Sequence, residues 1–415
     1  MKTATACLTL LAATLLVSCN DKQADSARPA AHVRETGKVL LVHYMPWYEA
    51  PSMRGKWGSH WTGHQSEHQP GRTGSNGLPD IWSNYHPLIG PYDSTDPDVL
   101  ECHLLQMKLA GIDGVIADWY GISQTADYPS IHLGSRALFD AAGRFGMKFA
   151  ACYEDRSVEY LLKLKQLQPD QVAQHLAGNT QWMQTNWFAY PQYFRVMGRP
   201  LLLNFGPIQV RDAAAWQRAF AALPERPAFY ALHHLWKGVG ADGGFTWVHQ
   251  NAWDGNPDSA TVRQRLHATY SAMSKNPNQV IVSAVPGFHD VYEHSLPGLD
   301  YRDGATLRDS LQVCMQGPWP IIQLVTWNDY GEGTMIEPTH EFGYRFLETI
   351  QQARRDEAAG EFAFTADDLR LPALLLARRK AAGATRESSD QISQLLNQGS
   401  CQQARQLLQA ANHTH

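Results

Sequence analysis

Eight short runs of β-branched, aromatic and small apolar residues recur along the chain, most of them separated by a stretch with helical periodicity, and few folds accommodate that order. The runs are Val39 to Met45, Gly114 to Trp119, Lys148 to Tyr153, Pro200 to Phe205, Ala228 to Leu232, Phe245 to His249, Val280 to Val285 and Ile321 to Trp327. Between them, Asp98 to Ala110, Ser135 to Phe145, Pro169 to Asn186, Arg211 to Leu223, Ser259 to Ser274 and Gly304 to Gln316 read as helices, several opened by Asp, Ser or Pro. Strands alternating with helices require a mostly parallel sheet with helical cover. A doubly wound sheet would carry its ligand at one switch point, yet no GxGxxG follows the first run, and polar-aromatic clusters follow many strands. The expectation is an α/β fold, a (β/α)₈ TIM-type barrel over residues 38–360, with a small C-terminal helical extension over 361–415. In that extension Ile392, Leu395 and Leu396, then Ala404, Leu407 and Leu408, recur at helical spacing around Asn397-Gln398-Gly399, the pattern of a helical hairpin.

The first residues have to be set aside before any fold is read. Lys2 and the apolar stretch Ala4 to Val17 form a signal peptide over residues 1–18, too short to span a bilayer in the mature protein. Leu16-Val17-Ser18-Cys19 resembles a bacterial lipobox, which makes Cys19 the expected lipid attachment site and residues 19–37 a flexible tether. The expected location is the bacterial cell envelope, lipid-anchored, facing the periplasm or the outer surface. Formal charge is -5, from 35 basic and 40 acidic residues without a Lys/Arg run of the kind that neutralises a phosphate backbone, so no nucleic-acid partner is expected. Cys102, Cys152, Cys314 and Cys401 contain no CxxC and read as buried free thiols.

Function is concentrated where strands end. Val39 to Met45 leads into His43-Tyr44-Met45-Pro46-Trp47-Tyr48; the next strands end in Asp118-Trp119-Tyr120-Gly121, Tyr153-Glu154-Asp155 and Asn204-Phe205-Gly206; the seventh reaches Gly287-Phe288-His289; the eighth ends Thr326-Trp327-Asn328-Asp329-Tyr330-Gly331-Glu332-Gly333. In a barrel these ends converge on one face, which is where active sites sit. With 13 Trp and 16 Tyr in the chain, many beside polar residues, that face offers flat apolar surfaces with polar tips, which suit sugar rings. Asp329 and Glu332 are the candidate catalytic pair, because glycoside hydrolysis needs two carboxyl groups flanking the scissile bond. His43, Tyr44, Trp47, Tyr48, Trp119, Tyr120, Glu154, Asn204, His289, Trp327 and Asn328 are candidate substrate contacts, and Trp57 and Trp61 candidate platforms on an overhanging loop.

The same residues carry a resemblance. Ile89-Gly90-Pro91-Tyr92-Asp93-Ser94, Asp96-Pro97 and Ala110-Gly111-Ile112-Asp113-Gly114 leading into Asp118 to Gly121 are similar to the N-terminal half of glycoside hydrolase family 99. Trp327 to Thr334 with Ile336-Glu337-Pro338 resembles its strand-eight signature, while Asn328 to Glu332 follows the pattern of the related family 71 more closely. The resemblance implies a barrel, no metal or cofactor, and endo-acting cleavage of an α-linked oligo- or polysaccharide, with Glu332 as general acid/base, Asp329 as the second carboxylate, and Tyr44, Trp47, Trp119 and Glu154 on sugar subsites. Family 99 has glutamate where Asp329 stands. The shorter side chain retracts the carboxylate by ~1.5 Å, about one C–C bond, and a displacement near 1 Å can cost on the order of 100-fold in rate. Two alternatives remain open. The first is a glycan-binding lipoprotein that has lost turnover. The second is a metal-dependent hydrolase using His60, His64 and His68, spaced i, i+4, i+8 in a glycine-rich loop.

Overall fold

A computed structural model describes residues 37–293, 296–358, 362–381 and 385–412. The expected signal peptide, Cys19 and all of the tether but Gly37 lie outside the described residues. Eight parallel strands close on themselves: β1 (Val39–Tyr44), β2 (Gly114–Trp119), β3 (Lys148–Tyr153), β4 (Arg199–Asn204), β5 (Ala228–Leu232), β6 (Gly243–Phe245), β7 (Val280–Ala284) and β8 (Ile321–Leu324). Leu41 pairs with Gly114 across β1–β2, Ala151 with Leu202 across β3–β4, and Val39 with Ile321 across the closing β1–β8 seam. This is the expected (β/α)₈ barrel, with a two-residue strand, Arg195–Val196, added antiparallel to β4.

Side-chain alternation along each strand divides the core in two. Leu41, Ile116, Cys152, Leu203, Phe245 and Ile281 pack inside the barrel. Leu40, Val42, Val115, Phe149 and Leu202 instead face the surrounding helices. That parity decides which residues at the strand ends look into the opening.

Two element boundaries differ most from the sequence expectation. The sixth strand is Gly243–Phe245, ending where the expected Phe245 to His249 begins, because Gly243 and Gly244 are there to let Tyr230 and Trp236 lie against the strand. A Cβ on Gly244 would stand 2.6 Å from Trp236 Cδ1. The helix expected from Ser135 starts at Tyr128, with Pro129 in its first turn and Gly134 against the carbonyl of Pro46.

Beyond β8, the helix Arg345–Glu357 closes the barrel wall, and Leu371–Lys380, Arg386–Asn397 and Cys401–Asn412 form the C-terminal extension. The last two make the expected hairpin, turning at Gly399 in the left-handed region (φ 80). The extension is fastened to the barrel helix Pro97–Ala110: Lys380 meets Asp96 at 2.8 Å and Arg379 meets Glu101 at 3.0 Å. All four cysteines of the described chain are buried free thiols, as expected.

Candidate active site

The turn that leaves β8 is built before it is functional. Asn328 is fully buried, and its side chain accepts from the Met45 N–H at 2.8 Å and donates to the Met45 carbonyl at 3.1 Å and the Tyr92 hydroxyl at 3.0 Å. The Tyr48 hydroxyl donates to the Asn328 carbonyl at 2.8 Å and accepts from the Tyr330 N–H at 3.2 Å. Thr326 Oγ1 accepts from the Asp329 N–H at 2.8 Å. Asn328 and Tyr48 are therefore braces of the turn, which corrects the expectation that they touch substrate.

On that frame Asp329 is 2% exposed, and its Oδ1 accepts the Glu332 N–H at 2.9 Å, so the carboxylate is folded onto its own turn. Glu332 reaches the opening, where the indole N–H of Trp247 donates to its Oε2 at 3.3 Å. Trp247 is held edge-on by His43 (centroids 4.9 Å, 81°) and Phe205 (4.8 Å, 75°). Asp118 and Glu154 have the inward parity of β2 and β3 and add two more buried carboxyl groups to the same opening.

Four buried carboxyl groups at one opening cannot all ionise. Burial is the largest cause in each case, and it raises all four above the ordinary carboxylate range. Asp329 is pushed up to about 7. The charge of Asp329 then raises Glu332 and Asp118 further, and the charge of Asp118 raises Glu154. Burial lowers His43 to about 3, against a smaller opposing effect of Gln323, so its imidazole is neutral; Glu154 Oε2 is buried without a hydrogen-bond partner. Buried polar atoms of this kind are what a ligand or an ordered water satisfies.

Parity sorts the remaining candidates. Tyr44 points outward, its hydroxyl 2.9 Å from His103 Nδ1. Trp119 also faces the helices, packed against Trp187 (5.0 Å) and donating to His132 at 3.0 Å. Asn204 donates to the Tyr153 carbonyl at 2.8 Å, and Trp327 lies against His103 at 5.3 Å, both fully buried. Tyr44 and Trp119 are wall residues, in correction of the expected substrate contacts, whereas Asn204 Oδ1 and Trp327 Nε1 are buried without a hydrogen-bond partner. Trp61, an expected platform, is also fully buried, with its indole donating to the Tyr92 carbonyl at 2.8 Å. Trp57 is only partly exposed. Trp47 is covered by the stacked ring of His60 (4.4 Å, 9°). His43, Tyr120, Glu154 and His289 stay at the opening: Tyr120 hydrogen-bonds Asp118, and the exposed His289 donates its backbone N–H to the Glu332 carbonyl at 2.8 Å.

The three loop histidines do not share a ligand. His60 bonds Asp127 at 3.2 Å, His68 bonds Asp80 at 2.8 Å, and His64 packs on Trp82, so the metal-dependent reading loses its site. Among the described residues no group of three or more His, Cys, Asp or Glu could hold a metal ion. Sequence reading left Asp118 out of the site residues and missed Trp247, Tyr292, whose ring lies on Gly331, and Asp290, whose charge raises Asp329 and Glu332. For Asp118 the signal was available, since it stands two residues from the inward-facing Ile116.

Residues 36–347 match Glycosyl hydrolase family 99. The chain belongs to this family. As a family 99 protein it is a glycoside hydrolase acting on α-linked glycans. It is 27% identical over 330 residues to the glycoprotein endo-alpha-1,2-mannosidase-like protein of Danio rerio, covering 72% of this chain and 70% of that one. The glycoprotein endo-alpha-1,2-mannosidase of Xenopus laevis is 24% identical over 325 residues, with 72% and 69% covered. Among solved structures, the GH99 endo-alpha-mannosidase from Bacteroides thetaiotaomicron superposes with a TM-score of 0.58 over 78% of this family 99 chain and 98% of its own, at 20% identity, a likeness of fold.

Proposed function

We propose that this protein is an endo-acting α-mannosidase in which Glu332 protonates the leaving oxygen and Asp329 is the base on the other side of the bond. The observation that carries the reading is the placement of both carboxyl groups on one braced turn at the open end of a family 99 barrel, beside a donor aimed at Glu332. Mannose as the sugar follows the names of the related proteins. Burial raises both groups, and the charge formed first on Asp329 holds the second proton on Glu332, which gives one base and one acid at neutral pH.

The test is release of product from an α-1,2-linked manno-oligosaccharide as a function of pH. The expected kcat/KM rises as Asp329 ionises near neutrality and falls when Glu332 loses its proton at higher pH. Trp247→Phe removes the donor that favours ionised Glu332, so the alkaline limb should move to higher pH. A maximum near pH 4 to 5, the range of unperturbed carboxylates at about 3.9–4.3, would contradict the assignment. Tight binding of the oligosaccharide with no product at any pH would instead leave a glycan-binding protein, the outcome that the shorter Asp329 makes the specific rival.

The envelope location follows from Cys19 and the stretch before it. We infer a lipid anchor there, with the barrel held off the membrane by the polar segment 20–37. Cys19→Ser should move the protein from the membrane pellet to the soluble fraction while activity is kept, because the strand-helix pattern of the barrel begins only at Val39. A mutant that stays in the pellet after a salt wash would count against the anchor.

A further inference from the structure

Two segments far apart in sequence converge on the 329–332 turn. From the long β1 excursion, Ser83 Oγ donates to the Tyr330 carbonyl at 2.9 Å. From the segment after β7, the N–H groups of His289 and Val291 donate to the carbonyls of Glu332 and Gly331, each at 2.8 Å. The two segments also hold each other, since the Tyr85 hydroxyl lies 3.2 Å from His289 Nδ1. Their aromatic residues meet in a row: Tyr292 against Trp82 with centroids 4.8 Å apart at 78°, and Trp82 against His64 at 4.7 Å and 68°.

The row begins at the carboxylates. The ring of Tyr292 lies over Gly331, between Asp329 and Glu332, so closely that a Cβ at 331 would collide with it. That is the physical reason for glycine in the turn. Tyr292 is 36% exposed, Trp82 is partly exposed and His64 is exposed. Large rings held open to solvent by backbone and side-chain hydrogen bonds are fixed surface, available to a ligand without reordering.

The chemistry of that surface fits a glycan better than a protein. A protein partner needs about 1,000 Å² of buried area for a stable contact, which three rings do not provide. A pyranose offers a C–H face and a belt of hydroxyls. The rings match the first, and the Trp82 indole N–H and the His64 imidazole match the second, while the Tyr292 hydroxyl is turned down onto Gly331.

We propose that Tyr292, Trp82 and His64 form an extended subsite that holds further sugar units of the substrate, beyond those seated at the carboxylates. The inference rests on the α-mannosidase reading and deepens it: the enzyme grips the chain along a stepped wall, which favours attack inside a longer glycan over removal of a terminal unit.

The test uses the full-length Glu332→Gln protein, so that binding is read without turnover, titrated calorimetrically with an α-1,2-linked mannose disaccharide and pentasaccharide. The pentasaccharide should bind at least about 10-fold tighter, and Trp82→Ala should remove about 10-fold of its affinity, the scale of one aromatic contact, while affecting the disaccharide much less. Trp82→Phe should restore most of the loss. Equal losses for both ligands, or no preference for the longer one, would overturn the subsite. Length-dependent affinity that Trp82→Ala flattens, in an active-site-intact protein without turnover, would uphold the subsite and sink the enzymatic reading. Turnover without length dependence would do the reverse, and binding of neither ligand would overturn both.

Discussion

Glu332→Gln should lower turnover on natural α-linked oligosaccharides by on the order of 10²–10⁴-fold, the usual contribution of a positioned acid, and much less on aryl glycosides whose leaving group needs no proton. The comparison is a kcat ratio on the two substrate types, and equal losses would remove Glu332 as the acid. The same variant should be more stable than the wild type at alkaline pH. In the folded protein burial and the charge of Asp329 raise Glu332, so the folded state holds a proton that the unfolded state, near the ordinary value of about 4.3, has given up. Stability is therefore lost as pH rises through that window, and glutamine, which never ionises, escapes the loss. A melting-temperature advantage of Glu332→Gln that grows from pH 5 to pH 8 would separate a missing acid from a damaged fold, and an advantage independent of pH would show that Glu332 is not raised.

Arg354→Met should destabilise the barrel by about 3 kcal/mol, at the lower end of what breaking a buried ion pair costs. Arg354 is fully buried on the helix Arg345–Glu357 at the closed end of the barrel. Its guanidinium donates to Glu357 at 2.7 Å, to the carbonyls of Gly111 at 2.7 Å and Lys38 at 2.9 Å, and to Asp113, which in turn accepts the Leu40 N–H at 2.8 Å. One side chain thus joins the last barrel helix to the starts of β1 and β2, including the strand at the closing seam. Methionine would fill part of the space and leave four acceptors short of a donor. Urea unfolding should show a lower midpoint with an unchanged slope. A shift below about 1 kcal/mol, the range of a surface pair, would mean the network is not needed.

Much of the site was written in the order of residues. The strand-helix alternation determined a parallel sheet with helical cover, and the polar-aromatic clusters at many strand ends chose the barrel over the doubly wound sheet. The spacing of Asp329 and Glu332 on a glycine-flanked turn determined that two carboxyl groups share one loop, since three residues of chain cannot carry them far apart. Period-two alternation was also present in the sequence, and it separates Asp118, in phase with Ile116, from its outward neighbour Trp119; reading by adjacency alone chose the aromatic of the pair and missed the carboxylate.

Other decisions belong to the tertiary structure. Asn328 and Tyr48 have the chemistry of sugar ligands, and nothing local says that one will be spent on the Met45 backbone and the other on the carbonyl of Asn328 itself. The raised proton affinity of Asp329 depends on burial and on charges from residues that only barrel closure brings near. Trp247 reaches Glu332, and Trp82 reaches Tyr292, across sequence separations that carry no local signal. The sequence determined which groups this protein has and on which turns they ride, because those depend on short-range periodicity. Closure of the barrel decided which of them face one another, because desolvation and contact between distant strand ends exist only once the sheet has met itself.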